Sequence, residues 1–534
     1  MKKNSLCRIC VIIIPLVFST HATQLIDHSP RTLMQGMRIE EWPMFQYNAE
    51  HTGYTLSSSP DTNSTLWILD ETVMNGTSSS PAVVNNQLYI GSSDNKMHCF
   101  NATSGDHLWS FETLSWIDSS PAVYNNLVFF GSWDTFIYCL DAENGSLLWR
   151  YPSGNWIIHA SPTVYDDKLF MCSTDGRIYC FDPDPFDDGI DEGVIDPVGS
   201  SYDLLWSYQT MSQIESSPAI DRDQLFILSD GLYCLNAQDG SFLWRFQWWD
   251  NGPFITPSNG TRGYQDRWGL WSSPVVTDGF VYFIPDYGEI FCLNTTAGEI
   301  VWRVPTDEDG VSSPALSYGN LYVATSFVDE VYPFAEHGMM YCLNASTGQQ
   351  QWNFSTNHFL YSSPAISDGK IYFGSFDNYT YCLDAYSGDV LWSYETDGWV
   401  TGSPAIADGR LFISTYHEVD YYSNYGRVYC FEDPSYELKI VSVTGGFGLT
   451  VEVSNIGSVR AEHLPWSLCF QDFLIFYPRD GWVYGTIDEI QSGTTTTIYS
   501  GFLLGLGKGR ITLTVDTLDI SVEGYLFGPF VFLQ

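Results

Sequence analysis

The same phrase recurs along most of this chain, and a recurring phrase restricts a fold more than any other feature of a sequence. It reads Ser-Ser-Pro-Ala-Val, a polar turn, an apolar strand ending Gly-Ser, then Tyr-Cys-Leu-Asp-Ala-x-x-Gly and Leu-Trp. The clearest copies begin at Ser79, Ser119 and Ser362, and others at Ala160, Ser216, Ser272, Ser312 and Gly402. That makes eight starts, spaced by about 40 residues, the length of a four-stranded propeller blade. Ala82-Val83-Val84 is a short apolar innermost strand, and Pro81 sits at its start, where a missing N–H does least harm. Two-residue turns follow at Asn85-Asn86, Asn125-Asn126, Asp278-Gly279, Asp368-Gly369 and Asp408-Gly409, residues that tolerate the positive φ of type I′ hairpins. Apolar residues alternate with the strand period of 2, and no helical period appears.

Fourth-strand tryptophans occur at Trp109, Trp149, Trp206, Trp244, Trp302, Trp352 and Trp392, one fewer than the starts. The missing one stands at the other end of the chain, in Thr65-Leu66-Trp67-Ile68, whereas the last copy, Gly402 to Phe431, stops after three strands. The expected fold is therefore all-β: an eight-bladed β-propeller closed by an N-terminal outer strand, with no sheet edge left open. Residues 42–434 would form it.

This repeat resembles that of the pyrroloquinoline-quinone (PQQ) propeller family, and the opening Trp42-Pro43-Met44-Phe45-Gln46 with His51-Thr52-Gly53-Tyr54 is similar to that family's first segment. The family includes quinone-dependent alcohol dehydrogenases and the non-enzymatic propeller lipoprotein of the outer-membrane β-barrel assembly machinery. The resemblance implies the fold; one fold hosts many functions. In the dehydrogenases the quinone lies over a bound calcium in the channel, beside a carboxylate base and often a disulfide between adjacent cysteines. This chain has no adjacent cysteine pair, and its innermost strands read Ser-Pro-Ala-Val/Ile without an intruding Glu or Asn. Neither PQQ nor any other cofactor is expected, and a quinoprotein oxidoreductase is the alternative reading, with a structural surface-layer component as a third.

Residues 435–534 lack the repeat. Leu438–Val443, Leu449–Val453 and Arg510–Val515 read as strands, and Gly505-Leu506-Gly507-Lys508-Gly509, which lacks the spacing of a phosphate loop, reads as a hairpin turn. The region suits an immunoglobulin-like β-sandwich and resembles adhesion-type surface domains. At the other end, Lys2, Lys3 and Arg8 precede an apolar run from Ile9 to Phe18 and a small-x-small site at Thr20-His21-Ala22. Residues 1–22 read as a signal peptide and 23–41 as a linker, with no membrane span after cleavage. The expected place is secreted or on the cell surface. A formal net charge of −41 repels phosphate backbones and excludes nucleic-acid partners.

Eight cysteines (Cys99, Cys139, Cys180, Cys234, Cys292, Cys342, Cys382 and Cys430) occupy one repeat position. Equivalent positions lie a blade apart, beyond the roughly 7 Å limit of a disulfide, so they read as small buried hydrophobes. The acidic segment with Asp182, Asp184, Asp188 and Asp191 suits calcium in ligand type, but it misses the EF-hand register and reads first as a solvated insertion, with calcium as the alternative. Sequons stand at Asn63, Asn75, Asn101, Asn144, Asn259, Asn294, Asn344, Asn353 and Asn378. Four of these fall in the repeat's own Asn/Asp turn, which wants those residues anyway, and glycosylation depends on the host.

Strand direction locates a working face. Loops from strand 4 to strand 1 share a face with loops from strand 2 to strand 3, and three long insertions fall there. They carry Trp248, Trp249, Tyr264, Trp268 and Trp271, then Tyr332 and His337, then Tyr416, His417, Tyr421, Tyr422 and Tyr425. Trp116, Trp156 and Trp399 lie in equivalent short loops. Long loops on a rigid scaffold commonly carry function, and exposed Trp and Tyr anchor binding surfaces. The competing reading is that these rings pack their own loops. A non-catalytic binding or scaffold protein, holding a protein or glycan at the cell surface, is the expected function.

Overall fold

Why such a repeat folds as it does is visible in its first full copy. Ala82–Val84, Gln87–Gly91, Lys96–Asn101 and His107–Glu112 pair in order as an antiparallel sheet, with Ala82 opposite Tyr89, Tyr89 opposite Cys99 and Cys99 opposite Trp109. Asn85 and Asn86 adopt φ of 52° and 60°, the paired positive values a type I′ turn needs. The computed structural model describes residues 41–69, 74–183, 204–248, 272–285, 288–306, 310–328, 336–420, 423–435, 438–446, 448–471, 474–477, 482–500, 504–515, 518–528 and 530–533. The signal peptide and most of the linker expected at the N-terminus lie outside them.

Seven four-stranded sheets follow this plan. A further sheet is assembled from both ends of the propeller: Thr65–Ile68 pairs with Val428–Glu432, which pairs with Arg410–Asp420, which pairs with Ala405–Ala407. Trp67 stands opposite Cys430, the same partnership that Trp109 makes with Cys99. No α-helix occurs among the described residues.

Neighbouring sheets lock together at two radii. On the outside, each tryptophan reaches into the next blade's turn. Trp109 Nε1 donates to Ala142 O at 3.0 Å, and equivalent bonds run from Trp67, Trp206, Trp244, Trp302 and Trp352. Gly145 in that turn has φ of 70°, and a Cβ there would lie 2.4 Å from the Trp109 ring. The turn is thus glycine for both reasons, backbone and close approach. Trp149 and Trp392, whose following blades lack the Ala-x-x-Gly turn, have no partner for Nε1.

On the inside, the serine that ends each Ser-Ser or x-Ser pair joins a closed circle. The N–H of Ser80 donates to Ser120 Oγ, and the series continues through Ser161, Ser217, Ser273, Ser313, Ser363 and Ser403 back to Ser80, at 2.8–3.0 Å throughout. Below this circle the opening segment fills the channel. Carbonyls of Trp42, Pro43, Ala49, Glu50, Thr52 and Gly53 accept N–H groups of Val83, Val123, Ile220, Val276, Leu316 and Ile366. His51 is buried between Pro274 O at 3.2 Å and Thr163 Oγ1 at 3.3 Å.

All eight repeat cysteines are buried free thiols, as expected of small hydrophobes, and burial pushes the Cys99 thiol up to about 12. The C-terminal region forms nine hydrogen-bonded strands. Leu438–Gly446, Gly448–Asn455 and Thr495–Tyr499 meet the remainder through one parallel bridge, Gly448 to Phe530, and Leu449, Val451 and Val453 share an apolar core with Leu468, Ile511 and Leu513. The Gly505–Gly509 stretch is not a turn. It lies inside the strand Leu504–Val515, with Gly505 opposite Gly528 and Gly509 opposite Gly524, where glycine's lack of a side chain is tolerated by pairing on the ladder.

Trp109→Ala should lower unfolding stability by about 3–5 kcal/mol, since it removes a buried ring and an inter-blade bond; chemical denaturation measures it. Deleting 65–68 should expose the strand Val428–Glu432 as an open edge. Aggregation in light scattering or loss of a single cooperative melt is expected, and a monomer with unchanged melting would refute the closure.

Candidate functional site

The serine circle is uniform because every blade must make the same bond. The residue just before each serine pair is under no such constraint, and in the seven copies where it is described it differs from blade to blade: Ser78, Asp118, His159, Glu215, Val311, Tyr361 and Thr401. Above the circle Ser78, Asp118, His159, Val311, Tyr361 and Thr401 of this layer line a cavity of about 280 Å³ at the channel mouth. The circle's serines line it, Phe45 of the opening segment lies at its base, and Asp118, His159, Tyr361, Phe376, Trp399 and Tyr416 make much of its wall. The mouth opens on the face shared by the strand 4 to 1 and strand 2 to 3 loops.

Two arrays of rings flank it. Tyr361, Phe376, Trp399 and Tyr416 form a continuous stack, with centroids 4.7, 5.0 and 6.2 Å apart and planes within 19° of each other at every step. Trp133 stands between Trp116, at 5.7 Å edge-on, and Trp156, at 5.9 Å stacked. Turn geometry aligns the latter, because Trp133 N donates to Trp116 O at 3.0 Å and Thr174 N to Trp156 O at 3.0 Å. Trp116 and Trp156 remain 45% and 50% exposed, and Leu114 and Met211 on neighbouring loops are 79% and 82% exposed. Large apolar side chains this exposed, grouped on one face, are the mark of an interaction surface.

Among the described residues the wall carries one carboxylate. Asp118 Oδ2 accepts the Trp133 indole N–H at 2.9 Å. Burial raises the Asp118 carboxyl to about 6, against that hydrogen bond, which pulls it down. Burial lowers the His159 imidazole to about 4, so it is neutral at physiological pH. Among the described residues no Lys or Arg lines the cavity. PQQ carries three carboxylates, and the described wall offers them no cationic partner. No group of three or more His, Cys, Asp or Glu among the described residues is placed to hold a metal ion.

The residues singled out from sequence separate into three groups. Trp116, Trp156, Trp399 and Tyr416 belong to the arrays at the mouth. Trp248 is core instead, 7% exposed and packed on Phe283, because the strand 4 exit turns inward there. His337 and His417 stack on Phe327 and Tyr425 at 5.1 and 4.5 Å, and both lie in strands rather than loops. The strand 2 to 3 insertions are thus extensions of the hairpins Asn320–Val328 with Glu336–Asn344 and Arg410–Asp420 with Ser423–Tyr425, and these rings pack across them. Trp249, Tyr264, Trp268, Trp271, Tyr332, Tyr421, Tyr422, Asp184, Asp188, Asp191 and Asn259 lie outside the described residues; Asp182 is half-buried at the edge of the acidic segment. Asn101, Asn294 and Asn344 use their side-chain oxygens to accept turn N–H groups, so turn chemistry accounts for those sequons. Trp133, Phe376, Tyr361, Asp118 and His159 were not anticipated. Aligning the copies and looking for the column that varies beside a constant serine would have found the last three.

Comparison with known proteins gives a consistent fold. The family profile described as outer membrane protein assembly factor BamB matches residues 56–227, 232–358 and 336–428. No curated protein sequence matches. Among solved structures, a europium-containing methanol dehydrogenase is similar at TM-score 0.58 and 14% identity, covering 74% of this chain and 98% of its own. The quinohemoprotein alcohol dehydrogenase from Comamonas testosteroni is similar at 0.58 and 14%, covering 76% and 83%. BamB from Moraxella catarrhalis is similar at 0.51 and 16%, covering 69% and 99%. At these identities the likeness is one of fold.

The titrations have opposite signs. Asp118, raised when folded, favours folding as pH falls from about 6 towards its ordinary value; His51 and His159, lowered to about 4, oppose folding as pH falls from 6.5. Asp118→Asn should therefore melt higher than wild type at pH 7.5, with the difference shrinking through about pH 6 and vanishing near pH 4. Thermal unfolding of the two proteins in parallel checks this, and a difference independent of pH would contradict it.

Proposed function

The chain belongs to the PQQ-type propeller family whose profile is described as outer membrane protein assembly factor BamB, and from that premise we propose that it is a non-catalytic binding protein of the cell exterior. Its channel-mouth face holds a partner protein or glycan. The observation that carries this is the cluster of exposed Leu114, Trp116, Trp156 and Met211 on one face of a rigid ring. A rigid ring presents such rings with little conformational entropy left to lose on binding. BamB, a member of the same fold, is an assembly factor by its description, and protein binding without chemistry is in keeping with that.

The dehydrogenase neighbours support the alternative, a quinone-dependent oxidoreductase, at the level of fold. Against it stand the lack of a cationic partner for the quinone carboxylates among the described residues of the wall and the lack of an adjacent cysteine pair. Melting with PQQ and calcium separates the two, since a ligand at a hundredfold excess over Kd stabilises by about 2.7 kcal/mol.

The direct test is Trp116→Ser with Trp156→Ser, assayed for melting and for capture of partners from the host's surface fraction. Capture lost with melting unchanged is the expected result. Capture intact, or melting lost in parallel, refutes the assignment of this face.

A further inference from the structure

The cavity at the channel mouth holds a carboxylate with no cationic side chain among the described residues of its wall. Asp118 is mostly buried, and its recorded partner is the Trp133 indole N–H at 2.9 Å, a neutral donor. Among the described residues no Lys or Arg lines the cavity, and the loops at 113–118, 153–161 and 210–217 contain none. A desolvated carboxylate without a counter-charge is unfavourable, which is why such groups are normally paired.

What else lines the cavity limits the kind of cation that would fit. Phe45, Tyr361, Phe376, Trp399 and Tyr416 give it aromatic surface. A hard metal ion requires several oxygen ligands converging on one point, and a single carboxylate does not supply them. Alkylammonium and guanidinium groups are more weakly hydrated, and aromatic rings attract them through the π quadrupole. The volume of about 280 Å³ equals that of about nine waters, enough for a charged head and several methylenes but not for a folded segment. The net charge of −41 enriches cations at the mouth.

We propose that this cavity binds an organic cation, an alkylammonium or guanidinium group, with Asp118 as its counter-charge and the aromatic wall enclosing its alkyl part. Burial raises the Asp118 carboxyl, in keeping with a desolvated site that has no counter-charge among the described residues. A free ammonium compound and a Lys or Arg side chain of a partner protein share this chemistry. The inference rests on the reading of the channel mouth as the binding face and names what enters its centre.

The test is titration calorimetry of the full chain with tetramethylammonium, N-acetyl-lysine methylamide and N-acetyl-arginine methylamide, with methyl glucoside and acetate as neutral and anionic controls. The cations bind and the controls do not. Asp118→Asn weakens cation binding about tenfold or more, the effect of losing one charged hydrogen bond, without lowering the melting temperature. A shift of the Trp133 indole N–H resonance on adding cation gives a second readout independent of heat. Tighter binding of tetramethylammonium points to a free compound, and tighter binding of the capped amino acids to a side chain. Absence of both heat and resonance shift in the wild type, or equal affinity in Asp118→Asn, overturns the proposal. Asp118-dependent cation binding alongside normal capture by the Trp116/Trp156 variant would sink the binding-face reading and leave this one standing; the reverse pattern does the opposite.

Discussion

Each innermost strand has one edge turned to the channel, and the N–H at its start has no partner within its own blade. The hydroxyl of the next blade's serine takes that N–H, and the series closes when Ser403 reaches Ser80. A circle of this kind tolerates no missing member. It forces a serine at one position of every copy, and it requires the last blade to be complete before it can meet the first. Completion comes from Thr65–Ile68, so the two ends of the propeller sequence are folded as one sheet. Closure in this way makes formation of the ring depend on contacts distant in sequence, which slows such folds and makes them cooperative.

The outer tryptophans do at the rim what the serines do at the bore. Each spans an interface, with its ring against a glycine and its indole N–H on a carbonyl of the following blade. The two exceptions, Trp149 and Trp392, mark the two places where the following turn is altered: the blade with the acidic segment and the blade that ends the repeat. With rim and bore held, the opening segment is free to act as a plug. Its irregular backbone, with positive φ at Gln46, Tyr47 and His51, follows the carbonyl and N–H positions of successive blades rather than any regular structure.

A frame locked at two radii leaves its loops as the place for variation. The channel-mouth layer shows this, since constant serines lie directly below residues as different as Asp118, His159, Val311 and Tyr361. The same frame is shared by quinone enzymes and a protein described as an assembly factor, so the fold by itself does not fix the function. Here the described lining of that layer is largely serine and aromatic, with Asp118 as its carboxylate.

The sequence by itself determined what is periodic and local. The serine-proline starts, the Asn and Asp turn pairs, the cysteine at one position of each copy and the closing strand at Trp67 all follow from repetition, because every copy must satisfy the same bonds. Strand direction likewise put Trp116, Trp156, Trp399 and Tyr416 on one face. Only the tertiary structure decided which rings meet. Trp133 joins Trp116 and Trp156 through loops of successive blades, Phe376 sits between Tyr361 and Trp399, and Trp248 turns into the core. His337 and His417 lie on extended hairpins whose pairing no short motif announces. The glycines at 505, 507 and 509 signal a turn locally and become a strand because Leu518–Gly528 lies beside them. The Asp118 carboxylate is an ordinary surface residue in the sequence; it becomes a buried one only when the blades close into a ring around it, since a cavity at a ring's axis belongs to no single segment.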